Sequence, residues 1–99
     1  MTSTREPLQF EWVEDKARSN AVKHKVTFIT ASAIFENEMI ETIDSCDDYG
    51  EVRMIALGRV EIEVFHVVYT LRDTSRIRII SARKASKHDR KFYYSQIFP

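Results

Sequence analysis

The sequence predicts an α+β domain: a small antiparallel sheet with two helices before it and one after. Three observations predict it. Three strand-like segments, Val52–Arg59, Glu63–Leu71 and Arg76–Lys84, follow one another across hairpin-length connections, which favours consecutive antiparallel pairing. The residues from Val13 to His24 are good helix formers with no Gly or Pro. Ser86 opens a last segment with Asp89 three residues on, a variant of the capping box that starts helices. With 99 residues the chain makes one domain, over 8–99, behind a polar tail over 1–7 that is expected to be disordered.

Each element has its own signal. Leu8 to Trp12 alternates apolar and polar residues, as a half-buried strand does, and is expected to join the sheet at one side. In the first helix Trp12, Ala17 and Ala21, with Val13 and Val22, are candidates for the buried side. Lys16, Asn20 and Lys23 or His24 recur on one polar stripe. Thr27 is a candidate N-cap for a second helix from Phe28 to Phe35, with Ile34 and Phe35 facing the core. Residues 36–50 are acidic and end in a turn at Asp47-Asp48-Tyr49-Gly50. In Val52–Arg59, the residues Arg53, Ile55, Leu57 and Arg59 share one face, and Val52, Met54, Ala56 and Gly58 the other. Strict alternation in Arg76–Lys84 puts Arg83 with Ile77, Ile79 and Ser81, and Arg76 and Arg78 on the opposite face. Only a bulge would bring the two sets into one site.

Composition narrows the function. The chain is 43% hydrophobic and 30% charged, a soluble globular balance. Its longest apolar run is four residues, far short of the about 20 that span a bilayer, and no signal peptide is read at its start. The single cysteine, Cys46, excludes an internal disulfide and fits a reducing, cytoplasmic setting. The net charge of zero hides a split. Residues 1–51 carry eleven acids against five bases, and residues 52–99 carry ten bases against four acids. Such a split marks a face for a polyanion, or else two halves that neutralise each other once folded.

No metal site stands out, since His24, His66 and His88 are scattered with no Cys partner. The only glycines, Gly50 and Gly58, leave no phosphate-cradling loop. Cys46 lies among acids that would raise a thiol pKa, which weakens a nucleophile reading. What remains is a basic sheet with His, Lys, Arg and Tyr. A ribonuclease working without metal or other cofactor needs that kit: activation of a 2′-OH, charge stabilisation on a five-coordinate phosphate, and protonation of the leaving 5′-oxygen. Each residue also has a plain structural role open to it. His66 stands among Val and Phe as a core histidine would, Lys87 to Lys91 reads as a solvated helix face, and Lys23 with His24 suits the negative end of a helix dipole.

Several motifs together resemble one family. Phe10-Glu-Trp12, Lys16, Asn20, Lys23-His24, Val26-Thr27-Phe28 and Ala33-x-Phe35 are similar to the first half of the BrnT toxins of type II toxin–antitoxin pairs. The second half is similar through Tyr49-Gly50-Glu51-x-Arg53, Ala56-x-Gly58-Arg59, Val67-Val68-Tyr69-Thr70 and Arg76-x-Arg78-Ile79-Ile80-Ser81-Ala82-Arg83-Lys84-Ala85. The resemblance implies a RelE-like toxin fold, RNA cleavage that halts translation, and neutralisation by a BrnA-like antitoxin in a toxin–antitoxin heterotetramer. Where the family shows Lys-His-Gly this chain has Lys25, which is strained by ~1 kcal/mol if the position takes positive φ.

The candidate catalytic residues are Lys23, His24, Arg53 and Arg83. Lys16, Arg59, Arg76, Arg78 and Lys87 are candidates for RNA binding. Phe92, Tyr93, Tyr94, Ile97 and Phe98 crowd into seven residues, too many for one helix face to bury, so Phe92, Tyr93, Tyr94 and Phe98 are candidates for contact with an antitoxin. An alternative from another class stays open: a catalytically inactive homologue that serves as an antitoxin-binding co-repressor.

Overall fold

The computed structural model describes residues 7–44 and 51–99. The tail over 1–6, Cys46 and the Asp47–Gly50 turn lie outside the described residues. The elements run β1 (Gln9–Glu11), α1 (Glu14–His24), α2 (Phe28–Ser32) with a 3-10 turn over Ala33–Glu36, β2 (Met39–Ile43), β3 (Arg53–Val60), β4 (Glu63–Leu71), β5 (Arg76–Lys84) and α3 (Lys87–Ile97). The sheet has five strands in the order β1-β5-β4-β3-β2.

The three central strands pair antiparallel, as their short connections require. The sheet as a whole is mixed, because β1 runs parallel to β5, with Gln9 opposite Arg76 and Glu11 opposite Arg78. Most of the chain separates these two strands, so no hairpin fixed their relative direction. β2 was not foreseen in the acidic stretch; it pairs antiparallel with β3, and Glu41 takes a hydrogen bond from the Tyr69 hydroxyl.

Strand alternation gives the sheet two faces. One carries Ala56, Val67, Tyr69, Ile77, Ile79 and Ala82, packed under Phe28, Ala31 and Ile34. Phe35 joins that core, edge-on to Tyr69 at 5.1 Å and tilted against Phe10 at 5.3 Å. The 3-10 turn approaches β3 so closely that a Cβ on Gly58 would stand 2.7 Å from the Ile34 Cβ. Glycine is what permits that contact. Ala17 packs on the same core as expected, whereas Val13 and Val22 are exposed at 49% and 73% because α1 turns them outward. On the opposite face, α3 closes a smaller core of Leu57, Val64, Ala85 and Tyr93.

The helix ends follow their sequence signals. The Thr27 Oγ1 accepts from the Thr30 N–H, and the Ser86 Oγ accepts from the Asp89 N–H. Lys25 closes α1 in the left-handed region, at φ 60° and ψ 29°, with its N–H on the Ala21 carbonyl.

A bulge decides how β5 presents its side chains. Val68 faces Ser81, but Tyr69 faces Ile79, so Ile80 is the extra residue. Parity changes there. Ser81 and Arg83 therefore lie on the same face as Arg76 and Arg78, and opposite Ile77 and Ile79. The expectation of two separate arginine faces is corrected by this single inserted residue.

Candidate functional site

The face that carries α3 at one end is otherwise a shallow basic trough. Its floor is ordered in rows across β5, β4 and β3. Arg83, His66 and Leu57 form one row; Ser81, Val68 and Ile55 the next; Arg78, Thr70 and Arg53 the third. Successive residues on one face of a strand stand ~7 Å apart. Guanidinium groups therefore stand in both outer rows of a small apolar floor, and α3 reaches only the first of these rows, where Leu57 packs in the core that Tyr93 closes.

The arginines are held by carboxylates. Arg83 lies 3.6 Å from Asp89 and donates to the Lys84 carbonyl at 3.3 Å. Arg53 lies 3.6 Å from Glu51. Arg78 donates to Glu11 at 3.0 Å, and Arg72 and Arg76 reach the same carboxylate at 3.7 and 3.9 Å. Two carboxylates, Glu11 and the Asp73 beside Arg76, among three guanidinium groups leave the cluster positive and order it in advance of any ligand. Exposed pairs of this kind add little stability, so their consequence here is position. Beside Arg76, Asp73 is held below the ordinary carboxylate range, first by the Ser75 N–H and also by that arginine.

His66 stands directly across from Arg83. Its imidazole is pushed below its ordinary value of 6.5, first by burial and then by Arg83, with Asp89 and Asp44 pulling the other way. It is therefore neutral at pH 7, with one ring nitrogen free of a proton. Sequence reasoning gave this residue a core role. The signal available was its hairpin register against β5, but that register runs through the hidden bulge. Glu11, Arg72 and Ser81 were missed for a related reason: their roles depend on which strand lies beside them.

The helix stripe of α1 meets the sheet at the outer edge of β5. β1 pairs with β5 only through Arg76, Ile77 and Arg78. Beyond them the free edge of β5 still has backbone groups to satisfy. Asn20 does so from the helix: its Nδ2 donates to the Ala82 carbonyl at 2.8 Å and to the Val26 carbonyl at 3.0 Å, and its Oδ1 accepts from the Ala82 N–H at 3.1 Å. This anchor sets Lys16, Lys23 and His24 along a groove of about 370 Å³ with Ile80 and Ser81. Ser81 belongs to both the groove and the trough floor, so the two adjoin.

Other sequence-selected residues stand apart. Arg59 is at the α3 end of β3, its guanidinium over the Phe98 ring at 6.0 Å, three rows from Arg53. Lys87 is exposed in the first turn of α3. Tyr93 leaves the set of surface candidates: it is 1% exposed, burial raises its hydroxyl pKa, and that hydroxyl donates to the Glu38 carbonyl at 3.0 Å. Phe92 and Phe98 are exposed at 44% and 60%, with Phe98 stacked on Tyr94 at 6.1 Å. Among the described residues, no three His, Cys, Asp or Glu side chains gather where they could hold a metal ion. No helix among them is long and apolar enough to cross a membrane.

Comparison with known proteins adds a family. The family model of the BrnT ribonuclease toxin of type II toxin–antitoxin systems matches residues 12–89. That span holds Lys16, Lys23, His24, Arg53, His66, Arg78 and Arg83, and stops short of Phe92. Among solved structures, the ribonuclease toxin BrnT of Brucella abortus is similar in fold. It aligns with a TM-score of 0.61 at 20% identity, over 81% of this chain and 99% of that one. No curated protein matches the chain.

Proposed function

This chain belongs to the BrnT family of ribonuclease toxins of type II toxin–antitoxin systems, and from that premise we propose that it cuts RNA in the trough between Arg83 and Arg53, without a metal ion. The observation that carries the reading is the bulge at Ile80, which supports one site by turning Arg83, Arg78 and Arg53 onto a single face. Arg83 and Arg53 stabilise the extra negative charge of the five-coordinate phosphate. Arg76 and Arg78, held by Glu11, position the RNA backbone, with Lys16 extending the track from α1. Arg59, at the α3 end of β3, and Lys87, in the first turn of α3, contact RNA outside the reacting phosphate.

Two proton-transfer groups flank Ser81. Neutral His66 takes the proton from the 2′-OH as its oxygen attacks phosphorus. His24, with Lys23 beside it, returns a proton to the departing 5′-oxygen. The P–O5′ bond breaks as the P–O2′ bond forms, leaving a 2′,3′-cyclic phosphate and a 5′-hydroxyl. Cutting RNA in this way halts translation. A BrnA-like antitoxin covers the exposed Phe98 with Tyr94 and joins two toxins in a heterotetramer.

The test is cleavage of RNA by purified protein with excess chelator, comparing Arg83→Ala, Arg53→Ala, His24→Ala and Arg76→Ala after folding is checked. Loss of a transition-state contact is expected to cost about 10²–10³ in rate, whereas Arg76→Ala weakens binding in a salt-dependent way. The pH profile has a definite sign. A base must be unprotonated to act, so the rate falls as acid titrates His66, and the lowered pKa moves that fall below the ordinary histidine range. Full cleavage by folded Arg83→Ala and His24→Ala proteins overturns the assignment. A folded wild-type chain that binds antitoxin and leaves RNA intact supports the co-repressor reading instead.

A further inference from the structure

We propose that the hollow between α3 and the trough floor is a nucleobase pocket that selects a guanine beside the phosphate held by Arg83. This inference rests on the RNA-cleaving reading of the same face and names the base that the site reads. The hollow is about 210 Å³ and is lined by Ile40, Thr42, Ile55 and Leu57 together with His66, Asp89 and Phe92. That volume is below the range of about 300–1,000 Å³ typical of drug-sized ligands and suits a single planar ring system.

Its position ties it to the backbone contacts. His66 lines the hollow and is also the cross-strand partner of Arg83, and Asp89 lines it while meeting Arg83 at 3.6 Å. A nucleotide with its base in the hollow therefore has its phosphate at the arginine. Phe92 supplies a stacking surface. Phe92 is 44% exposed, and among the described residues its ring pairs with no other aromatic ring, unlike Tyr94 with Phe98. Base–aromatic stacking is worth enough to anchor a single-stranded base, and any base has the face for it. Selection comes from Asp89. A carboxylate only accepts hydrogen bonds. Guanine offers N1–H and N2–H side by side, whereas the N3–H of uracil is flanked by two carbonyl oxygens that a carboxylate repels. The apolar side chains of Ile40, Ile55 and Leu57 lower the local dielectric around that exchange, which sharpens the difference.

The experiment needs no cleavage to begin. The full chain is titrated with guanosine 5′-monophosphate, uridine 5′-monophosphate and ribose 5-phosphate, and amide chemical shifts are followed. The guanine nucleotide is expected to shift Leu57, His66 and Phe92 and to bind roughly tenfold tighter than the other two. Asp89→Asn is expected to erase the guanine-over-uracil difference, and Phe92→Ala to weaken the nucleotides roughly 10- to 100-fold while leaving ribose 5-phosphate unchanged. Phe92→Trp, which keeps a stacking face, should restore binding. On RNA, wild-type cuts are expected beside guanines, and Phe92→Ala should raise KM more than it lowers kcat and lose that preference. Equal binding of all three ligands, or shifts confined to Arg53 and Arg78, overturns the proposal. So does a Phe92→Ala protein that cuts at the wild-type positions but escapes its antitoxin, since the ring then belongs to the partner interface. Guanine-selective binding by a chain that cuts no RNA leaves the pocket standing and removes the nuclease reading alone.

Discussion

Lys25 shows how a single backbone angle carries stability. It sits at φ 60° with its N–H on the Ala21 carbonyl, a helix-ending geometry in which a Cβ crowds the following carbonyl. The site was legible in the sequence, because the family's Lys-His-Gly pattern puts a glycine where this chain has Lys25. Lys25→Gly is expected to stabilise the fold by about 1 kcal/mol, a rise of roughly 4–8 °C in Tm for a domain of this size. Lys25→Ala keeps the Cβ and should give no such gain, and equal melting temperatures for the two variants would refute the account. Other residue-level facts were beyond the sequence. Tyr93 is fully buried while its neighbour Phe92 is exposed, and adjacent aromatic residues carry no mark that says which one faces the sheet. Only the hydroxyl's partner, the Glu38 carbonyl of a distant segment, makes that distinction.

Among the elements, the hairpins were the most legible part. β4 and β5 fall on the segments their alternation marked, because short connections leave antiparallel pairing as the natural choice. The bulge was not legible: Ile79 and Ile80 are both apolar, so either could face the core, and the choice reverses the side of every residue after them. The position of α1 was half legible. Its Lys16, Asn20, Lys23 and His24 stripe was plain from spacing, but not that Asn20 would serve the edge of β5 like a neighbouring strand. Asn20 is 6% exposed and answers both backbone groups of Ala82. Asn20→Ala would leave a buried N–H and two buried carbonyls short of a partner, at a cost of about 3 kcal/mol measured by denaturant unfolding. It should also lower RNA cleavage in the protein that stays folded, since Lys23 and His24 lose their register along β5. A change below about 0.5 kcal/mol, the range of ordinary surface substitutions, would mean that water takes over the amide's bonds.

At the scale of the whole molecule, the split between an acidic first half and a basic second half is only partly cancelled by folding. Glu11 crosses from the acidic half to bind Arg72, Arg76 and Arg78, but Arg83 takes its carboxylate from Asp89 and Lys84 from Glu63, both in the basic half. Glu41, the acid of β2, lies beyond β3, at the far edge of the sheet from the Glu11 cluster. The sequence alone balanced neutralisation against a polyanion face, because charge order along a chain does not say which strands become neighbours. With the trough still positive, RNA binding should be driven by release of counterions, with log K falling by about 0.7 per decade of salt for each phosphate neutralised on a single strand. Arg78→Ala is expected to reduce that slope by about 0.7. Glu11→Gln removes the carboxylate that three arginines share, so it should tighten binding at low salt. The gain should shrink as salt rises and the Debye length falls from about 10 Å at 0.1 M. Fluorescence anisotropy of a labelled single-stranded RNA across a salt series reads both effects. A Glu11→Gln protein that binds more weakly at every salt concentration would show that ordering the arginines outweighs the charge they gain.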